Sequence, residues 1–379
     1  MSARRSNGPG IATRVFGSQW FVSVLAVVIA FAIGAILIAL SGASVVDAYY
    51  AMFRGSIVDP NAANVVRMIK PLTDSLFYSI PLIISGLGLA LGFRAGLFNI
   101  GGKGQIIVGA LAAVWVGFAV SLPPVVHTLV ALLVAVIAGG LYGGIAGVLK
   151  AKTGANEVIV TIMLNSIATL GLGYTLAQKA WQVPGTNQPV TPKVADSAAL
   201  VRLLPAPFKL HVGFLVALVA LVAFWWLIER STLGFQIRAV GANAAAARTA
   251  GISVERITAI TMVLSGAFLG LAGANEALGT IGYVSRDVAG SIGFDAITVA
   301  LLGRNKTWGT FGAGLLFGAF KAGGYTMQAK GVPIDMILIL QSVIVLLIAA
   351  PALVRWLFRL PDVRALAANT RKGNADEHK

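Results

Sequence analysis

The sequence predicts an all-α polytopic membrane protein of about ten transmembrane helices. Three observations carry that prediction. Of 379 residues 57% are hydrophobic, 11% are charged and the mean hydropathy is +0.85, where a soluble domain has about 25% charged residues. Apolar runs of about 18 residues or more, the length that spans ~30 Å of hydrocarbon, recur along the chain. The lysines and arginines fall mainly in alternate loops, as the positive-inside rule requires. The chain has no cysteine, which excludes a disulfide framework and a thiolate metal site. His127, His211 and His378 are scattered without metal-ligand spacing and read as interfacial or tail residues. A net charge of +15 in a soluble protein would suggest nucleic acid. Membrane orientation accounts for it here, and no nucleic-acid partner is expected.

Residues 1–18 are a basic cytoplasmic segment with Arg4, Arg5 and Arg14. The run Trp20–Leu40 is too long for a signal-peptide core and reads as the first helix. Further helices are predicted at 72–92, 104–121, 125–149, 157–178, 211–229, 257–280, 291–303, 308–328 and 334–354. The segment 291–303 is too short to cross alone and crosses only with neighbouring irregular backbone. From a cytoplasmic N-terminus, 19 Lys and Arg fall inside and nine outside, with Lys321 inside a helix. The membrane domain is therefore 19–356, and 357–379 is a basic cytoplasmic tail. Of the two long external loops, 41–71 carries Tyr49, Tyr50 and Phe53 and is placed along the outer interface. The other, 179–210, is rich in proline and should form an ordered cap rather than a helix. The glycines of 139–147 let helices approach closely, a packing role. A loose internal echo relates Leu97–Val120 to Leu302–Phe320, each a charged, glycine-containing turn that opens an apolar helix.

The stretch Phe93–Gln105 organises the rest. Gly96, Gly101, Gly102, Gly104 and Asn99 are poor helix formers, each glycine costing about 1 kcal/mol against alanine. Backbone that leaves the helix within a membrane must be buried in protein or line a wet cavity. The segment therefore reads as a broken, close-packed hairpin inside the bundle. It is not a phosphate loop, because an extra glycine intervenes and Gly104 stands where a Mg²⁺-binding hydroxyl is needed. In the longest inner loop, 229–255, Asn243 suits the N-cap of an alanine-rich helix and Gly251 suits its C′ position. On the residues alone, a plain connector and a docking helix for another protein fit equally well.

GLFNIGGKGQ at 96–105, TGANEVIVTIMLN at 153–165, RAVGANAAAARTAGI at 238–252 and GFDAITVALLGRN at 293–305 stand in fixed order. With these motifs the chain resembles the permease subunits of lipoprotein-dependent ABC importers for nucleosides and simple sugars. Ribose and branched-chain amino-acid permeases are more distant relatives. The resemblance covers nearly the whole chain from about residue 70 and implies a type II importer fold in a bacterial cytoplasmic (inner) membrane. It implies a coupling helix at Asn243–Gly251, with Arg238, Gly241, Ala247, Arg248 and Ile252 meeting an ATP-binding subunit. A second permease, identical or related, and an extracytoplasmic substrate-binding lipoprotein complete the expected assembly. The chain carries no ATPase motif, so ATP and Mg²⁺ are expected on the partner and no cofactor on this chain. Lys103 stands where the family more often has an acidic residue, so a carboxylate role is not carried over.

Polar residues within membrane segments are functional candidates. Asn99, Gln105 and Asn165 are the expected pathway groups, because a nucleoside or sugar needs uncharged donors and acceptors. Asn156, Glu157 and Asp295 lie near helix ends and are expected to be structural; Asn275 is a further intramembrane candidate. Glu276 and Lys321 fall about 6 and 10 Å below the outer ends of their helices. Pairing across the two helices and independent snorkelling fit equally well. The reading is an ABC permease for nucleosides. Its rivals are a simple-sugar permease and an ion-coupled secondary transporter with Glu276, Asp295 and Lys321 as the relay.

Overall fold

The computed structural model describes residues 19–329, 331–333 and the pairs 338–339, 342–343 and 346–347. The expected N-terminal segment 1–18 and tail 357–379 lie outside these residues, and the helix expected at 334–354 lies largely outside them. The described elements are helices, with no strand among them and one isolated antiparallel bridge, Arg202 to His211. Two compact units are present: residues up to Ala51 with those from Met327, and Met52–Thr326. In the first, α1 (Gln19–Leu40) is held to α2 (Val45–Ser56) by the Tyr49 hydroxyl, which donates to the Phe31 carbonyl at 2.5 Å.

The second unit carries six helices long and apolar enough to cross a membrane. They are α3 (Val65–Arg94), α4 (Gly102–Ala119), α5 (Val126–Thr153), α6 (Glu157–Ala177), α7 (Gly213–Arg230) and α10 (Val254–Asn275), the last extended to Ile281 by a π-helical turn. Between α7 and α10 lie α8 (Thr232–Ala242) and α9 (Ala244–Thr249). The chain continues through α11 (Ile292–Leu302) and α12 (Thr307–Gln328).

Several boundaries correct the sequence reading. The segment 41–71 is largely helical, since α3 begins at Val65. The Asn64 side chain caps that helix by accepting from the Arg67 N–H at 2.9 Å. The helix then runs through Pro71 and Pro81; a proline removes one hydrogen bond and bends a helix but need not end it when the flanking turns are packed. The segment 257–280 is not uniformly α-helical, because Glu276–Ile281 widens into the π turn. Gly102 and Gly104 belong to the first turn of α4, not to the irregular stretch before it.

At the centre, α10 packs against α3, α4 and α5. Its glycines meet those of α5 backbone to backbone: a Cβ on Gly139 would lie 2.5 Å from the Gly266 carbonyl oxygen, and one on Gly143 2.6 Å from that of Met262. Such a crossing is open only to glycine. Between α6 and α7 the chain holds a single short helical turn, Lys179–Trp181. In this segment the Ala195, Leu200 and Val194 N–H groups donate to the carbonyls of Gly117 (2.8 Å), Leu278 (3.1 Å) and Gly282 (3.0 Å), and Val194, Ala198 and Leu200 are buried. His127 and His211 are not interfacial, being 0% and 1% exposed. The His127 ring fixes the cap, with Nδ1 2.8 Å from Ser197 Oγ and Nε2 3.0 Å from the Val116 carbonyl.

Candidate functional site

The turn between α3 and α4 is built from the end of α3. Gly96 takes a left-handed conformation, φ +73°. This lets the Leu97 N–H return to the Gly92 carbonyl (2.9 Å) and the Gly96 N–H to that of Phe93 (3.2 Å), a Schellman ending. Beyond it, Asn99 and Gln105 are each 1% exposed. Asn99 Nδ2 donates to Gln105 Oε1 (3.0 Å) and Ser265 Oγ (2.9 Å), and Asn99 Oδ1 accepts from the Gly101 N–H at 2.9 Å. Asn165 on α6 closes the other side, donating to the Ile100 carbonyl and accepting from the Gly104 N–H, both at 2.8 Å. The Thr161 hydroxyl accepts from the Ile100 N–H at 3.2 Å. The three amides expected to line a pathway thus direct their polar atoms into the turn itself. Nearby, Asn156 caps α6 through the Val158 N–H (2.9 Å) and Glu157 pairs with Lys150 at 2.6 Å.

The segment 229–255 contains one more helix than expected. Ser231 caps α8 by accepting from the Gly234 N–H at 2.9 Å, and Gly234, Ile237 and Val240 form its buried face. That three-residue spacing after a serine was the available sequence signal. Asn243 ends α8 and caps α9, its Oδ1 accepting from the Ala246 N–H at 3.0 Å. Gly251, at φ +82°, closes α9 with a second Schellman pair, Ile252 N–H to Ala247 carbonyl and Gly251 N–H to Arg248 carbonyl, both 3.0 Å. Ala247 is buried while Ala244, Ala245, Ala246 and Arg248 are exposed. Arg248 pairs with Glu255 at 2.5 Å. Arg238 is partly buried, its Nη1 without a hydrogen-bond partner among the described residues. Gly241 lies against the end of α3, where a Cβ would meet the carbonyl carbons of Ala95 and Arg94 at 2.9 Å. Arg94 in turn donates from Nε to the Asn305 carbonyl (2.7 Å) and approaches Glu229 at 3.8 Å. Arg94 therefore ties the end of α3 to the turn that opens the second segment of the internal echo.

At the other end of α10 a cavity of 430 Å³ opens beside the π turn. Phe77, Pro81 and Ile292 form its buried apolar wall, while Arg202 and Lys209 are exposed. Between these lie Tyr78, Glu276, Thr280, Lys321 and Tyr325. The Tyr78 and Tyr325 rings pack on each other at 5.4 Å and 36°. Asp295 accepts from Ser291 Oγ at 2.7 Å. The Glu276–Lys321 ion pair does not form among the described residues; both side chains face one cavity instead. Behind the wall, His211 stands edge-on to Phe77 at 5.5 Å and its Nδ1 accepts from the Gly213 N–H at 3.1 Å. Burial pushes its pKa down from 6.5 to about 4, so the ring is neutral near pH 7. Asn275, fully buried, donates to the Gly213 carbonyl at 3.3 Å. The tyrosines and Phe77 went unremarked in the sequence because an aromatic in an apolar run looks like any core residue. No cluster of metal-binding side chains occurs among the described residues.

Over residues 72–349 the chain matches the family described as the branched-chain amino acid transport system / permease component. A guanosine ABC transporter permease protein of Bacillus subtilis is 40% identical over 345 residues, 89% of this chain and 95% of its own. A glucose ABC transporter permease protein of Haloferax volcanii is 35% identical over 85% of each chain. A nucleoside ABC transporter permease protein of Lactococcus lactis is 31% identical over 92% of this chain and 95% of its own. No solved structure matches.

Proposed function

This chain belongs to the branched-chain amino acid transport system / permease component family, and from that premise we propose that it forms the translocation pathway of an ABC importer for nucleosides. The observation that carries the substrate is the 40% identity, over nearly the full length of both chains, to a guanosine permease. The α8–α9 end faces the cytoplasm with both termini in this reading, which the Lys and Arg distribution supports. There the exposed alanine face of α9 and Arg248 meet an ATP-binding subunit, which holds ATP and Mg²⁺ and supplies the energy. Ile237 and Val240 seat α8, and Gly241 touches the α3 end. A push on α9 therefore reaches the turn at 95–101 through backbone contact, not through a yielding side chain. A second permease and an extracytoplasmic substrate-binding lipoprotein complete the importer in the cytoplasmic membrane.

Uptake of labelled guanosine in cells carrying the whole importer tests this. It should require an intact nucleotide site on the partner ATPase and survive collapse of the proton and sodium gradients. Uptake that ignores the ATPase and follows an ion gradient would sink the reading. Gly241→Val should leave the complex assembled yet uncouple ATP hydrolysis from uptake, since the added carbons displace the α3 end. A second reading, import of a simple sugar, is favoured by the glucose permease relative; labelled glucose in the same cells decides between them.

A further inference from the structure

The cavity beside the π turn offers two charged groups to a solute without joining them to each other. We propose that Glu276 and Lys321 together read vicinal hydroxyls on a ring-shaped solute, with Tyr78 and Tyr325 giving the ring an apolar face. This rests on the permease reading above and goes beyond it by naming the part of the solute that is recognised.

The argument starts from what each group lacks. A carboxylate only accepts hydrogen bonds and an ammonium only donates them, whereas a hydroxyl does both. Two adjacent hydroxyls can therefore donate to Glu276 and accept from Lys321. Glu276 sits on the π turn after α10 and Lys321 on α12, so a solute that bridges them also ties two elements together. An intramembrane charge without a direct partner is costly, and bridging hydroxyls would lower that cost for both groups at once. The aromatics argue against a gripped base. A sandwiched base needs about 7 Å between ring centres, twice a 3.5 Å contact distance. Tyr78 and Tyr325 are 5.4 Å apart and already packed on each other. They present an edge and a face along which a ring can lie, not a slot. The 430 Å³ volume is in the lower part of the range of about 300–1,000 Å³ for small-molecule sites. The ribose of a nucleoside and a free sugar share the required chemistry.

The test is uptake of guanosine against 2′,3′-dideoxyguanosine in cells carrying the complete importer. Glu276→Gln and Lys321→Met should each slow guanosine uptake about tenfold, the size of one charge-assisted hydrogen bond. They should leave the dideoxy analogue nearly unchanged, so the ratio falls toward one; Glu276→Asp should restore part of it. The same delivery protein serves every strain, so a changed ratio belongs to this chain. An unchanged ratio, or a shift in the guanosine-to-adenosine ratio instead, overturns the proposal. Should the variants fail to reach the membrane, the wild type alone decides. Its uptake ratio must exceed the affinity ratio of the isolated delivery protein for the two solutes, and equality overturns the proposal. Labelled glucose assigns the source: its uptake with the same dependence on Glu276 and Lys321 extends the reading to free sugars, and uptake that ignores both residues overturns it. A wild type that imports none of these solutes contradicts the permease substrate reading, not the hydroxyl chemistry.

Discussion

The turn at 95–101 and the cavity beside the π turn are both polar places inside an apolar bundle, and they handle polarity in opposite ways. In the turn, uncharged amides are buried and each finds partners: Asn99 bonds Gln105, Ser265 and the Gly101 backbone, while Asn165 bonds the backbone on both sides. In the cavity, charged groups stay partly exposed and Glu276 and Lys321 are left apart. Self-satisfied polarity specifies a shape; unsatisfied polarity is available to a solute. Residue type alone points the other way, since amides look like gentle solute contacts and charges look like structural pairs.

The largest effect that should separate the two regions is on folding. Asn99→Leu strands the Gly101 N–H and the Gln105 and Ser265 side chains, and at about 1–3 kcal/mol per buried group it should cost about 3–5 kcal/mol. The measurement is folded yield and Tm in detergent, and near-wild-type stability would break the contrast. Next comes His211, which supports the cavity wall. Its folded pKa of about 4 lies below the ordinary 6.5, so the unfolded chain binds the proton more readily. Stability from this group is complete above pH 6.5 and is lost as pH falls from there toward about 4, by up to ~3 kcal/mol. A Tm–pH profile that flattens in His211→Gln would support this; an unchanged slope would assign the acid sensitivity elsewhere. Glu276→Gln should change Tm little, within about 1 kcal/mol, because it removes a charge with no ion-pair partner. A large loss would make the cavity structural after all. Smallest of all, Lys103→Ala should move uptake and stability by less than about 0.5 kcal/mol, as a half-exposed cation whose side chain takes no part in the turn's hydrogen bonds would. If it proves more damaging than Gly101→Leu, charge and not packing governs this segment.

Much of this architecture was legible in the residues. Periodic apolar runs place α4 to α7, α11 and α12 within a few residues. Asn243 and Gly251 mark both ends of α9 because capping is local chemistry that depends on a few adjacent residues. The start of α3 at Val65 was missed, since Pro71 lies inside that helix and the sequence does not show whether neighbouring elements hold it across the proline. The direction of Asn99 and the joint approach of Tyr78, Glu276 and Lys321 were not legible. They depend on how helices separated by some two hundred residues meet, and a one-dimensional pattern does not carry that angle. The glycines of α5 signalled a close crossing without naming its partner.

That crossing has a mechanical consequence. Side chains give an interface several rotamers to slide through, so two packed helices can exchange one interlock for another. Where Gly139 and Gly143 meet Gly266 and the Met262 carbonyl, main chain bears on main chain and no intermediate interlock exists. α5 and α10 therefore form one rigid piece, and α4 belongs to it as well, since a Cβ on Gly109 would clash with the Gly270 Cα.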